Sequence, residues 1–144
     1  MEFHFIKNWI ILRGNKCAEE YIVQKEKLQL LTEQLIKYTV QADDIYEDVR
    51  KEEKEKDFFS EVKPFADQVR SSCIDWENGM KEWMKETEFK HLFPEQIEQT
   101  AHNLSDVAVQ AFFPKTSYKR FKSHVQSVEF ILHNVKAEID RILS

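Results

Sequence analysis

The sequence predicts an all-α fold, an antiparallel up-down-up-down four-helix bundle, on three observations. The 144 residues hold only two glycines and three prolines beside 42% hydrophobic and 33% charged residues, a balance that favours long helices over turn-rich sheets. Apolar residues recur at alternating intervals of three and four, the repeat that keeps side chains on one helical face. Short connections break that repeat into four pieces, and four amphipathic helices joined so closely pack antiparallel.

The first piece runs Tyr21, Leu28, Leu31, Leu35, Tyr38, Ala42, Ile45, Val49, with Gln24 in its one polar slot, and predicts a helix over about 19–54. It ends in Arg50–Asp57, RKEEKEKD, whose opposed charges cancel and read as a solvated helix end. The second carries Phe65, Val69, Cys73, Trp76, Met80 and Trp83. Pro64 lacks an amide hydrogen and disfavours helix at Lys63, so this helix is expected to start at Pro64, with Phe58–Lys63 as an entry turn. The third opens near Pro94, carries Ile97, Ala101, Leu104, Ala108 and Ala111, and stops at Pro114. The fourth follows a Thr116/Ser117 cap signal and runs Tyr118, Phe121, Val125, Val128, Leu132, Val135, Ile139, Ile142. The expected core is Leu31, Leu35, Tyr38, Ile45, Val69, Trp76, Met80, Leu104, Ala108, Phe121, Val128, Leu132 and Val135.

A chain of this length suits one domain, able to bury roughly 70% of its unfolded surface. Residues 18–144 are expected to form that single bundle, and residues 1–17 a lead-in outside it. The lead-in is aromatic and apolar, but its longest uncharged apolar run, Trp9–Leu12, falls short of a signal peptide's ~7–15 residues. No stretch approaches the ~20 apolar residues of a membrane span. The lead-in is expected either to pack on the bundle end as a strand-like or helical piece or to be partly disordered; in the alternative reading, a partner-binding or membrane-surface arm, its anchors are Phe3, Phe5, Ile6, Trp9 and Ile10. Cys17 and Cys73 have no CxxC spacing and fall in helical segments, which reads as a reduced, cytoplasmic environment.

In an up-down-up-down bundle the first and third connections share one end. Phe58, Phe59, Phe65, Phe112, Phe113, Tyr118 and Phe121 are therefore expected to cap the core together. The acids Glu52, Glu53, Glu55, Asp57 and Glu61 then face the basic run Lys115, Lys119, Arg120, Lys122. Those bases stand at a helix start, where the peptide dipoles favour acids instead. Two readings of the run stand side by side. Either the chain's own acids neutralise it, or Phe112, Phe113, Lys115, Tyr118, Lys119, Arg120 and Lys122 meet an acidic partner. A net charge of -5 disfavours nucleic acid as that partner.

DFFSEVKP (Asp57–Pro64), EQI (Glu95–Ile97), KRFK (Lys119–Lys122) and SVEFILHNVKAEI (Ser127–Ile139), in this order and at these separations, resemble the YppE-like family of small bacterial proteins. The likeness covers Leu28–Ile139 and leaves the first sixteen residues outside. It implies a compact helical bundle of cytosolic type with no assigned activity and no catalytic residues to transfer.

The residues themselves carry little chemistry. A carboxylate-bridged di-iron bundle needs two Glu-x-x-His pairs facing inward. This chain has one, Glu88 and His91, in a connection. Glu98 with His102 and Glu129 with His133 have helical spacing, but each histidine follows a core position and turns about 100° from the seam. Cys73 sits on an apolar stripe, where a thiol acts as a small hydrophobe. Phosphate-binding glycine loops and HExxH are absent, and no cofactor is expected. Trp76 and Trp83 read as core packing, or else as the wall of a small apolar cavity. The function expected is that of a non-enzymatic cytosolic binding or adaptor module working through residues 112–122. A divergent metal- or small-ligand-binding bundle is the alternative.

Overall fold

The computed structural model describes residues 16–52 and 56–144. All their regular structure is helical: α1 (Lys16–Glu52), a π-helical turn (Phe58–Val62), α2 (Lys63–Glu86), α3 (Pro94–Gln110) and α4 (Tyr118–Leu143). The lead-in anchors Phe3, Phe5, Ile6, Trp9 and Ile10 lie outside the described residues.

Local chemistry sets the boundaries. Asp57 caps the π-helical turn, its carboxylate accepting from Ser60 N at 2.9 Å and Ser60 Oγ at 2.8 Å, while Glu61 Oε2 accepts from Asp57 N at 3.1 Å. Regular α-helix then begins at Lys63, one residue before Pro64, which occupies the first turn where its missing N–H costs nothing. Pro94 does the same for α3, and Gln96 Oε1 accepts from Phe93 N at 2.9 Å. Ser117 caps α4 by accepting from Arg120 N at 3.4 Å.

The four helices form a closed ring in which each packs on its chain neighbours and α1 returns to α4; α1 also touches α3 across the centre. The cross-helix bonds run antiparallel. Going up α1, Gln29 meets Asp140 (2.8 Å) and Asp43 meets Lys122 (2.6 Å) far earlier on α4. On the other flank Lys25 meets Glu86 (2.7 Å) and Thr32 meets Trp76 (2.9 Å), and Lys81 ties α2 to Glu98 of α3 (3.0 Å).

The core follows the predicted stripes on α2, α3 and α4 apart from the first members on α2 and α4: Phe65 is half-buried and Tyr118 is exposed. On α1 it is rotated by one residue along part of the seam. Leu31 and Ile45 are half-buried and pack against the core from its flank. The buried positions are instead Lys25, Thr32, Thr39 and Tyr46, alternating with Leu28, Leu35, Ala42 and Val49. The physical reason is that the polar members find partners inside. Thr32 and Thr39 return their hydroxyls to the Leu28 and Leu35 carbonyls, each at 2.8 Å, and Thr32 Oγ1 also accepts from the fully buried Trp76 Nε1. Lys25, only 5% exposed, keeps its ammonium on Glu86 and over the rings of Tyr21 (4.6 Å) and Trp83 (5.1 Å).

The expected aromatic cap also divides. Phe65, Phe112 and Phe121 join Tyr46, Val62 and Val107 in a second cluster of the core. Phe58, Phe59, Phe113 and Tyr118 remain outside it with large exposed areas. Phe58 and Phe59 precede α2 in the π-helical turn and pack edge to face on each other, at 5.2 Å.

Candidate partner-binding surface

The two connections do meet at one end, and Tyr46 organises it. Its buried ring stacks on Phe121 with centroids 3.9 Å apart, and its hydroxyl donates to the Thr116 carbonyl at 2.6 Å, fastening the α3–α4 link to α1. Tyr118 lies beside it at 6.2 Å, and the Arg50 guanidinium stands 5.0 Å over the Tyr118 ring. Phe112 turns inward, 5% exposed, edge to face with Phe65 at 5.9 Å.

The basic run separates in the same way. Lys122 Nζ lies 2.6 Å from Asp43 and 3.0 Å from Glu47, both on α1. Burial pulls this ammonium's pKa down, but the hydrogen bonds and charges of the two carboxylates outweigh it and hold the group above its ordinary value. The acids that neutralise Lys122 thus come from α1 rather than from the first connection. Of the acids expected to face the run, Glu52 pairs with Lys56 at 3.5 Å, Asp57 and Glu61 cap the π-helical turn, and Glu53 and Glu55 lie outside the described residues. Hydrogen bonds from Ser60 to Asp57 lower that carboxyl's pKa.

Lys115, Lys119 and Arg120 are exposed, and none takes part in an ion pair among the described residues. Phe113 and Tyr118 are 42% and 48% exposed. A shallow depression of about 310 Å³ is lined by Ser117, Lys119, Arg120, Ser123 and His124. His124 Nδ1 is buried there without a hydrogen-bond partner among the described residues. Phe112 and Lys122 are taken up by the fold itself, which leaves Phe113, Lys115, Tyr118, Lys119 and Arg120 facing outward.

The other chemical candidates are dispersed. His102 and His133 face away from the seam, and His102 pairs with Asp106 at 3.3 Å on the surface. Glu88 and His91 are exposed in the α2–α3 connection, where His91 has a left-handed backbone (φ 59°). Among the described residues no three His, Cys, Asp or Glu side chains converge as a metal site. Cys73 is 2% exposed, and burial pushes its thiol up to about 11, so little thiolate forms near neutrality. Trp76 and Trp83 are fully buried and line neither the α1–α2 nor the α2–α3 groove. Sequence reasoning missed Tyr46, the residue that builds this end. The unbroken three-four spacing of Ala18, Tyr21, Lys25, Leu28, Thr32, Leu35, Thr39, Ala42, Tyr46 and Val49 was the signal for it.

Fold and surface together define a small all-α bundle with no helix among its described residues long and apolar enough to cross a membrane. The chain belongs to a bacterial domain family of unknown function, DUF1798, whose model matches residues 32–139. It is 32% identical over 111 residues to the uncharacterized protein YppE of Bacillus subtilis (strain 168), covering 77% of this chain and 90% of that one. The crystal structure of the B. subtilis protein superposes with a TM-score of 0.77 at 31% identity, covering 81% of this chain and 94% of that one. A Listeria innocua protein of unknown function gives 0.79 at 30% identity, covering 83% and 95%.

Proposed function

We propose that this protein is a non-enzymatic cytosolic binding or adaptor module, and that its contact surface is the end formed by Phe113, Lys115, Tyr118, Lys119 and Arg120. One observation carries the reading: aromatic and cationic side chains stand outward together there, while the neighbouring Lys122 is consumed by Asp43 and Glu47. Exposed cations beside half-exposed rings match a protein partner that presents carboxylates and apolar groups. Phe112 and Lys122 support the surface from beneath.

The test is fluorescence anisotropy with a panel of acidic, aromatic-containing peptides. Association should weaken as salt rises, because exposed charges are screened over about 8 Å at physiological ionic strength. The variant K115A/K119A/R120A should lose binding while melting as the wild type does. Binding indifferent to both salt and the triple substitution would remove this surface from consideration. Short single-stranded or duplex DNA or RNA that binds at low salt, and is lost in the triple variant, would reassign the surface to nucleic acid. Stoichiometric iron, manganese or zinc in protein purified without an affinity tag would favour the metal-binding alternative.

A further inference from the structure

The α1–α2 flank carries a groove of about 700 Å³ whose exposed wall area is chiefly apolar. Leu28, Leu30 and Leu31 supply the apolar part of the α1 wall, with polar and charged side chains of the same helix bordering it, and the α2 wall is Gly79 set among Asp75, Asn78 and Glu82. Gly79 contributes no side chain, and a Cβ there would stand 2.5 Å from Leu28 Cδ2. Leu30 is 64% exposed, and Val23, one heptad earlier on the same face of α1, is 58% exposed. One exposed leucine needs no explanation, but two large aliphatics in line with a groove form a patch that a covering segment would bury.

We propose that this groove is the docking site for residues Phe3–Leu12 of the same chain. Three observations select this occupant. Its side chains have the required chemistry, since Phe3, Phe5, Ile6, Trp9, Ile10, Ile11 and Leu12 fall within ten residues. It is within reach. Val23 and Leu30 lie about 10 and 21 Å along α1 from Lys16 at 1.5 Å per residue. Chain from Trp9 to Lys16 spans at most about 25 Å, and from Phe5 about 40 Å. In sequence, Gly14 and Asn15, a turn-favouring pair, separate this segment from the start of α1. Finally, the segment lies outside the family match, which begins at residue 32.

The experiment is a melting cycle on the full chain with L30S, F5S/W9S and the three substitutions combined. With the groove occupied by this segment, L30S lowers Tm by about 2–4 °C in the wild type and has little further effect in F5S/W9S. The difference emission spectrum of wild type minus Trp9→Phe is then blue-shifted from that of free tryptophan and relaxes toward it in L30S. An unchanged or raised Tm for L30S in both backgrounds overturns the proposal, because Leu30 is then simply solvated. Equal losses in both backgrounds overturn it too, since Leu30 then packs on something else. A Tm that rises with protein concentration and is sensitive to L30S assigns the groove to a second copy instead.

Discussion

Helices α1 and α4 face each other along much of the bundle, yet they solve the problem of lining one core differently. The α4 seam is apolar throughout, with Phe121, Val125, Val128, Leu132, Val135, Ile139 and Ile142 all buried. The α1 seam places Lys25, Thr32 and Thr39 among its buried positions and leaves Val23, Leu30 and Val40 exposed. An apolar seam stabilises by removing area from water and accepts any neighbour of fitting shape. A seam with polar members stabilises only in the register that gives each one its partner, since an unsatisfied buried group is costly. Both helices bury a full apolar stripe, but only α1 adds polar members whose partners favour one arrangement.

Substitutions can break that contrast, and the largest effect belongs to α4. Leu132→Ala in its fully buried site should cost about 2–5 kcal/mol in urea denaturation; a loss below about 0.5 kcal/mol would mean that the seam is not where the stability resides. Next comes Thr32→Val, which keeps the shape but strands the buried Trp76 N–H. We expect a cost of about 1–3 kcal/mol and a changed near-UV signal from Trp76. Thr39→Val sharpens the comparison, because its hydroxyl bonds only the Leu35 carbonyl of its own helix, and little change in denaturation midpoint should follow. If both threonine variants behaved alike, the register role of α1 would fall. Tyr46→Phe, which removes the donor to Thr116, should cost about 0.5–1.5 kcal/mol by thermal unfolding.

The smallest effects belong to the polar ties between the same two helices. Asp140 has its pKa lowered by the Lys136 hydrogen bond and then by that from Gln29. A carboxyl depressed in the folded state contributes stability above its unfolded pKa, about 3.9, and loses it as pH falls through the lower folded value. Asp140→Asn should therefore flatten the stability curve below about pH 4 and leave its neutral region nearly level. The exposure of this pair keeps the change to a few tenths of a kcal/mol, about the size of a surface ion pair. An unaltered acid limb in matched melts would dismiss Asp140 as a contributor.

The same contrast explains what could be read without coordinates. On α4 every seam residue is apolar, so periodicity found Phe121 through Ile142, and the Thr116/Ser117 residue types marked the cap that Ser117 makes. On α1 the apolar neighbours Leu31 and Ile45 drew the stripe one residue to the side of Thr32 and Tyr46, whereas Tyr38 was read correctly as core and its buried neighbour Thr39 was passed over. What makes Thr32 a core residue is Trp76 on another helix, and what keeps Lys25 inside is Glu86. Such partners are far apart in sequence, so the place of Lys25, Thr32, Thr39 and Tyr46 in a three-four spacing was there to be read, while the groups that meet Lys25, Thr32 and Tyr46 from other elements were not. At the candidate surface, the shared end was legible from topology. The inward turn of Phe112 and the capture of Lys122 by Asp43 and Glu47 were not, because both depend on how α1 is rotated.

Cys73 gives the molecule an internal clock. Its sulfur is enclosed between α2 and α3, and its raised pKa suppresses the reactive thiolate even where reagent arrives. Alkylation at this position, resolved from Cys17 by peptide mass, must wait for the helices to part. When reclosing outpaces the chemistry, the labelling rate divided by that of an unstructured thiol is the population of open molecules. A wild-type protein thus reports its own breathing without any introduced probe. Comparing that rate with global unfolding would distinguish an α2–α3 seam that opens alone from one that opens only when the entire bundle does.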